Sequence, residues 1–140
     1  MKLRFETVPV LAMLSLAATL AGCSGNDGKI EVDSGSAALT DQGNDTLFTI
    51  KLVEARDDGY AFDGVKVKVT PEDKDAIDVT CKINDVNANS KLDKGDTLSC
   101  TEPADNRLGK DLVGKEIEVE LFAKIDGSEE RVGDAAYDAK

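Results

Sequence analysis

Four stretches of this chain alternate apolar and polar residues with a period of two, and that spacing restricts each of them to an extended strand. In TLFTIKLVE, Phe48, Ile50 and Leu52 fall on one side. In VKVKVT, Val65, Val67 and Val69 oppose Lys66 and Lys68. Ile77, Val79, Cys81 and Ile83 share a face in the third run. In the fourth, Ile117, Val119, Leu121, Ala123 and Ile125 alternate with Glu116, Glu118, Glu120, Phe122 and Lys124. Successive side chains of a strand point to opposite faces, so each run offers one face to a core and one to water. That is the pattern of half-buried antiparallel sheet.

Punctuation between the runs fits this reading. Asp57-Asp58-Gly59, Asp63-Gly64 and Asp126-Gly127 are turn sequences, and Gly109 and Gly114 lack any phosphate-loop spacing and read as turns too. Thr70-Pro71-Glu72-Asp73 has the form of an N-cap with proline at the first helical position, which predicts a short helix near 71–76. A second helical turn is expected near 105–112. Six or seven short strands separated by turns within residues 46–140 predict an all-β domain, an immunoglobulin-like two-sheet antiparallel sandwich. A small β-barrel is the alternative.

Composition removes several functions. The 140 residues carry 17 Lys and Arg against 28 Asp and Glu, a net charge of −11, with no histidine. Such a chain repels phosphate backbones, so no nucleic-acid partner is expected. Without histidine there is no Ser-His-Asp or Cys-His nucleophile and no His-ligated zinc. Carboxylate pairs such as Asp57/Asp58, Glu72/Asp73 and Glu129/Glu130 are frequent. General acid–base chemistry needs a pair with unlike environments, and no pair is set apart. The expectation is a protein that is not an enzyme.

The first 22 residues stand outside this pattern. Lys2 and Arg4 precede a run of thirteen almost wholly apolar residues, 8–20. As a helix it would span roughly 20 Å, short of the roughly 30 Å hydrocarbon core, so it reads as a secretory signal. The next residues are Leu20-Ala21-Gly22-Cys23, and this tetrad resembles the lipobox of bacterial lipoproteins. The resemblance implies a signal peptide over 1–22, cleavage before Cys23 and acylation of Cys23. Membrane association would then be through the lipid anchor, in the cell envelope. Ser24, where Asp often retains such proteins at the inner membrane, implies the outer membrane, with the domain facing the periplasm or the surface. Residues 23–45, rich in Gly, Ser, Asp and Asn, read as a lipidated cysteine and flexible tether, with Ile30 and Val32 available for a short edge strand.

With Cys23 assigned to lipid, Cys81 and Cys100 remain. In an oxidising compartment they are expected to form one disulfide, two free buried thiols being the alternative. If residues 85–96 form the loop of a hairpin, Asn84 faces Thr97, Ile83 faces Leu98 and Cys81 faces Cys100. Opposed strand residues lie within disulfide reach.

The loop itself, DVNANSKLDKGD, places oxygens at its positions 1, 3, 5, 9 and 12: Asp85, Asn87, Asn89, Asp93 and Asp96. It resembles the twelve-residue calcium loop of EF-hand proteins. The resemblance implies a calcium ion held by these residues and the Lys91 carbonyl, with Leu92 packed beneath. Alternating oxygen donors suit a hard cation that takes six to eight of them. The loop departs from the family in having Ser90 in place of the turn glycine and Asp96 in place of a longer glutamate, and in sitting on strands. Affinity on the order of 10⁻⁴–10⁻³ M, as in extracellular modules, is expected. The alternative is an Asn/Asp-rich turn that caps its own backbone. Taken together, the chain is expected to be a monomeric, noncatalytic envelope lipoprotein, calcium-braced, that binds or supports an unknown envelope protein. The second expectation is an acidic inhibitor of a basic hydrolase such as lysozyme.

Overall fold

The computed structural model describes residues 28–34, 39–104 and 108–140. The residues expected to form a signal peptide, Cys23 and the start of the expected tether lie outside the described residues. Nine strands follow one another: β1 (Lys29–Asp33), β2 (Thr46–Glu54), β3 (Tyr60–Ala61), β4 (Lys66–Pro71), β5 (Ile77–Asn84), β6 (Lys91–Leu92), β7 (Thr97–Thr101), β8 (Glu116–Ile125) and β9 (Ser128–Asp138). Two 3₁₀ turns, Phe62–Gly64 and Lys110–Leu112, are the only helical elements among the described residues.

The chain is all-β and antiparallel, as the alternation requires. Seven strands form one sheet in the order β1-β2-β7-β5-β4-β8-β9, and β3 pairs with β6 in a separate two-stranded ribbon. The large sheet curls until it nearly closes into a barrel, so its two halves face each other across one core in a sandwich-like way. Its neighbours are antiparallel at every step. The first and last strands therefore run in the same direction where they meet. That seam is tight: a Cβ on Gly28 would lie 2.2 Å from the Val132 carbonyl oxygen, and one on Gly133 would lie 3.0 Å from Ile30 Cγ2.

Each alternating run buries the face its sequence assigns. In β8, Ile117, Val119, Leu121 and Ala123 are wholly buried while Glu116, Glu118 and Lys124 are exposed. Val67 and Val69 of β4 and Ile50 and Leu52 of β2 join the same core. Asp126 and Gly127 both take positive φ, 51° and 86°, in the two-residue turn that joins β8 to β9. Positive φ at both central residues matches the twist of the flanking strands. Two strands break the alternation: in β2 a register shift at Thr46/Phe48 leaves Leu47 and Phe48 both buried, and in β9 a bulge at Val132 shifts the register between Leu121↔Gly133 and Phe122↔Arg131.

Two expectations change. The helix near 71–76 does not form. Pro71 ends β4 opposite Ile117, and a turn follows with Asp73 at φ 63° and Lys74 N–H donating to the Pro71 carbonyl at 3.0 Å. Residues 72–76 have no apolar face to bury, and a helix this short gains nothing without one. The tether assigned to 23–45 also ends sooner. Ile30 and Val32 bring residues 29–33 into the sheet as β1, paired to β2, and Leu39 is buried. Of the helical turn expected near 105–112, only Lys110–Leu112 takes 3₁₀ form; residues 105–107 lie outside the described ones.

The barrel has two poles. One gathers the start of β1, the β2–β4 connection with the β3–β6 ribbon, the β5–β7 loop and the β8–β9 turn. The other gathers the β4–β5 turn, residues 39–45, 102–104 and 108–115, and the C-terminus. This second pole is plugged by Leu39, Leu108, Leu112 and Ala139, all buried. Backbone bonds lace it together: Leu39 N–H to the Lys140 carbonyl at 2.7 Å and Gly114 N–H to the Ala139 carbonyl at 2.8 Å.

Glu102, 1% exposed, organises the pole. Its carboxylate accepts the Leu108 N–H and, at 3.3 Å, the Asp45 N–H, while Glu102 N–H donates to the Asp45 carbonyl at 3.0 Å. Asp45 in turn accepts the Thr40 N–H at 2.7 Å and the Thr40 hydroxyl at 2.9 Å. Burial pushes the Glu102 carboxyl above the ordinary range, against the pull of the two amides. Because the folded state holds this proton more tightly than the unfolded chain does, its contribution to stability is largest in acid. It declines as pH rises from the ordinary carboxylate range through the raised value. Glu102→Ala should destabilise the domain by about 2–4 kcal/mol at neutral pH, since it strands two buried N–H groups. The stability of the native protein relative to Glu102→Gln should fall as pH rises from the ordinary carboxylate range through the raised value. Urea melts across that interval check both.

Candidate functional site

The β5–β7 hairpin pairs in the register its sequence implies. Asn84 faces Thr97, Ile83 faces Leu98, Lys82 faces Ser99 and Cys81 faces Cys100. The last pair is a disulfide with Cα atoms 4.0 Å apart. It closes a loop of sequence separation 19, for which the chain-entropy argument gives about 3 kcal/mol. Cys100 is fully buried and Cys81 partly so, on the core side of the pair.

From this stem the loop 85–96 folds on its own side chains. Asp85 accepts the Asn89 N–H at 3.3 Å through Oδ1 and the Ser90 N–H at 2.7 Å through Oδ2. Those bonds hold a turn in which Ala88 and Ser90 stand at φ 57° and 64°. Ser90 thus adopts the left-handed conformation that glycine usually supplies at this point of a calcium loop. Asn89 Oδ1 accepts the Lys91 N–H at 2.9 Å. Asn87 and Asn89 both turn their side-chain amides onto Asp93, with Nδ2 to carboxylate distances of 3.1 and 2.5 Å.

Beneath the loop, Leu92 is fully buried, as its place in the pattern implies, and pairs with Tyr60 across the ribbon. Lys91, expected to lend its carbonyl, lies in β6 opposite Ala61 with its side chain exposed. Asp96 has a different task from the other acids. It is fully buried, and its carboxylate accepts the Val86 N–H at 2.8 Å and the Asp93 N–H at 2.9 Å. Its backbone is tied to β2, with Leu52 N–H to the Asp96 carbonyl at 3.0 Å and Gly95 N–H to the Leu52 carbonyl at 2.8 Å.

The six residues assigned to the ion therefore divide. Asn87, Asn89 and Asp93 converge, Asp85 clamps the turn beside them, Lys91 sits in the ribbon, and Asp96 is engaged by backbone amides. Among the described residues no three of His, Cys, Asp or Glu come together as a metal-holding group. The chemistry of the outer part of the loop nevertheless suits a hard cation. Asp85 and Asp93 bring carboxylate oxygens, and the amides on Asp93 each carry a carbonyl oxygen as well as an N–H₂. A shallow cleft of about 310 Å³ opens beside them, lined by Arg56, Asp57, Asn87, Asp93 and Lys94.

Sequence reasoning did not single out Glu102 or the capping role of Asp96. Glu102 carries no local signal beyond its place before Pro103. Asp96 follows Gly95, which stands at φ 99°, but that turn leaves open whether the carboxylate faces an ion or the backbone. Comparison of the sequence with protein-family models and with curated proteins finds no match.

The division of labour within the loop is measurable. Asp96→Ala should destabilise the domain by about 1–3 kcal/mol whether or not calcium is present, because two partly buried backbone amides lose their acceptor. Asp93→Ala, at a more exposed position, should shift calcium-free stability by no more than about 0.5–1 kcal/mol and abolish any calcium-induced rise in Tm. Thermal melts of both variants with and without millimolar calcium decide the matter.

Proposed function

We propose that this chain is a lipid-anchored, noncatalytic module of the bacterial cell envelope, braced by calcium at loop 85–96, that binds or supports another envelope component. The observation that carries the reading is the Leu20-Ala21-Gly22-Cys23 tetrad directly after an apolar run too short to span a bilayer. The disulfide Cys81–Cys100 agrees with export. The noncatalytic part is supported by the two buried acids, Asp96 and Glu102, each of which accepts two backbone N–H groups. Acids held in this way are committed to structure and are poor candidates for proton transfer.

Acylation is the decisive test. The mature protein should begin at Cys23 with its mass increased by acyl chains, and it should partition with membranes. Cys23→Ala should release it into the soluble fraction, since anchoring of this kind depends on the buried methylenes of at least two chains. An unmodified mature N-terminus at any other residue would remove the proposal.

The outer face of β8 and β9 favours a second reading. Glu116 lies opposite Asp138, and Glu120, already paired with Arg131 at 3.2 Å, lies opposite Asp134. Like charges directly opposed across strands are unfavourable, and a basic surface laid against them would relieve the repulsion. An inhibitor of a cationic hydrolase would use such a face. Native chain added to a lysozyme turbidity assay at low salt should slow lysis if this holds; an unchanged rate excludes it.

A further inference from the structure

The anchor and the barrel, taken together, fix which end of the domain meets the membrane. We propose that the pole at which β1 begins is seated on the anionic headgroups of the bilayer that holds Cys23, with Lys91, Lys94 and Val86 of loop 85–96 making the contact. This inference rests on the lipid-anchored reading above and adds to it an orientation and a lipid-binding surface.

Three observations support it. Gly28, at the start of the described fold, is five residues on from Cys23, which even fully extended reach only about 18 Å. β8 alone has ten residues, about 33 Å at ordinary strand rise, so the barrel is longer than its leash. The pole that contains Gly28 stays close to the lipid surface whatever the tilt of the domain.

The loop belongs to that pole through direct packing. A Cβ on Gly28 would lie 3.3 Å from the Tyr60 hydroxyl, and Tyr60 pairs with Leu92 of the loop. One aromatic side chain thus separates the point where the chain arrives from the loop that would touch the bilayer.

Asp57, Asp58, Asp63 and Asp126 are exposed at this pole too, so contact with an anionic interface falls to loop 85–96. Val86 is 66% exposed at the loop tip, and Lys91 and Lys94 stand exposed on the same loop. A large apolar side chain between lysines can enter the headgroup layer while the ammonium groups pair with phosphates. At the far pole, Glu72, Asp73, Asp75, Glu116 and Asp138 are exposed against Lys74, Lys110 and Lys115, so that end is the more acidic of the two and is the less favoured against an anionic leaflet. Attraction of this kind fades within a Debye length of about 8 Å, a separation the short leash permits.

The test uses the full lipidated chain reconstituted into vesicles of phosphatidylethanolamine and phosphatidylglycerol containing a headgroup spin-labelled lipid. A fluorophore is placed at Val86→Cys or, as the far-pole reference, at Asp75→Cys. Quenching should be several-fold stronger at position 86 than at 75, and Lys91→Glu with Lys94→Glu should bring the two values together. Hydrogen exchange on the unlabelled chain provides a second measurement, with amides 86–95 protected in these vesicles relative to purely zwitterionic ones. Equal quenching at both sites, or unchanged exchange, in protein that floats with the vesicles would overturn the proposal and leave the anchor standing. It would then assign this pole to water or to a protein partner. Protein that carries no acyl group and does not float would overturn the anchored reading and this inference with it.

Discussion

β7 carries a buried carboxylate immediately beyond each of its ends, and the pair caps loops at both poles of the barrel. Asp96 precedes the strand and Glu102 follows it, and both are all but fully buried. Each accepts two backbone N–H groups from segments distant in sequence or curled back on themselves: Val86 and Asp93 at one pole, Asp45 and Leu108 at the other. A loop that crosses the end of a barrel has amides with no strand to pair with, and leaving them dry and unpaired is costly. An ionised carboxylate answers two at once with charge-assisted bonds. β7 is suited to hold these acids because it lies between β2 and β5 and is bridged to β5 by the disulfide.

The sheet around β7 follows from its pattern of wet and dry faces. Seven strands with one apolar face cannot hide that face by lying flat, and with no helix beyond two 3₁₀ turns among the described residues the main cover is the sheet itself. Curling brings β1 and β9 together, and the small residues Gly28 and Gly133 let the backbones approach. Toward the far pole β1 has ended, and Phe48 of β2 packs edge-to-face on Tyr137 of β9, with ring centroids 5.2 Å apart. The same burial pushes the Tyr137 phenol up to about 12. Edge strands that meet this way are poor templates for pairing with another chain.

How far the sequence reveals this structure depends on whether a feature is periodic. β4, β5 and β8 were legible because each keeps strict alternation, β2 because it alternates from Phe48 on, and the β5–β7 register because two cysteines and one loop length allow a single symmetric pairing. β9 was not, because a bulge at Val132 moves its inward residues off the period and its Ala135-Ala136-Tyr137 segment has little contrast. The ribbon β3–β6 is only two residues per strand, too short for any period to show. Thr70-Pro71 has the local form of a helix start, but proline is equally at home at the last position of a strand, where its missing N–H is not needed. In the loop, the spacing of oxygens was legible and their destinations were not: Asp93 gathers amides at the surface while Asp96, three residues on, is drawn inward to the backbone.

That inward turn bears on what the loop can be used for. A loop whose shape depended wholly on a weakly bound ion would be ordered only where the ion is abundant. Here Leu92, Asp96 and the bonds to Leu52 fix the base of the loop from within, so an ion at Asp85, Asn87, Asn89 and Asp93 would add to a framework that already stands. Stability and surface chemistry are thereby separated along twelve residues. The buried members belong to the barrel, while the exposed members, Val86, Lys91 and Lys94 among them, are free to vary with whatever lies opposite. Because the chain enters at this same pole, a lipidated Cys23 would make the nearest opposing surface the bilayer. The acidic face of β8 and β9, running along the barrel wall toward the far pole, would then be the part of the molecule turned to soluble partners.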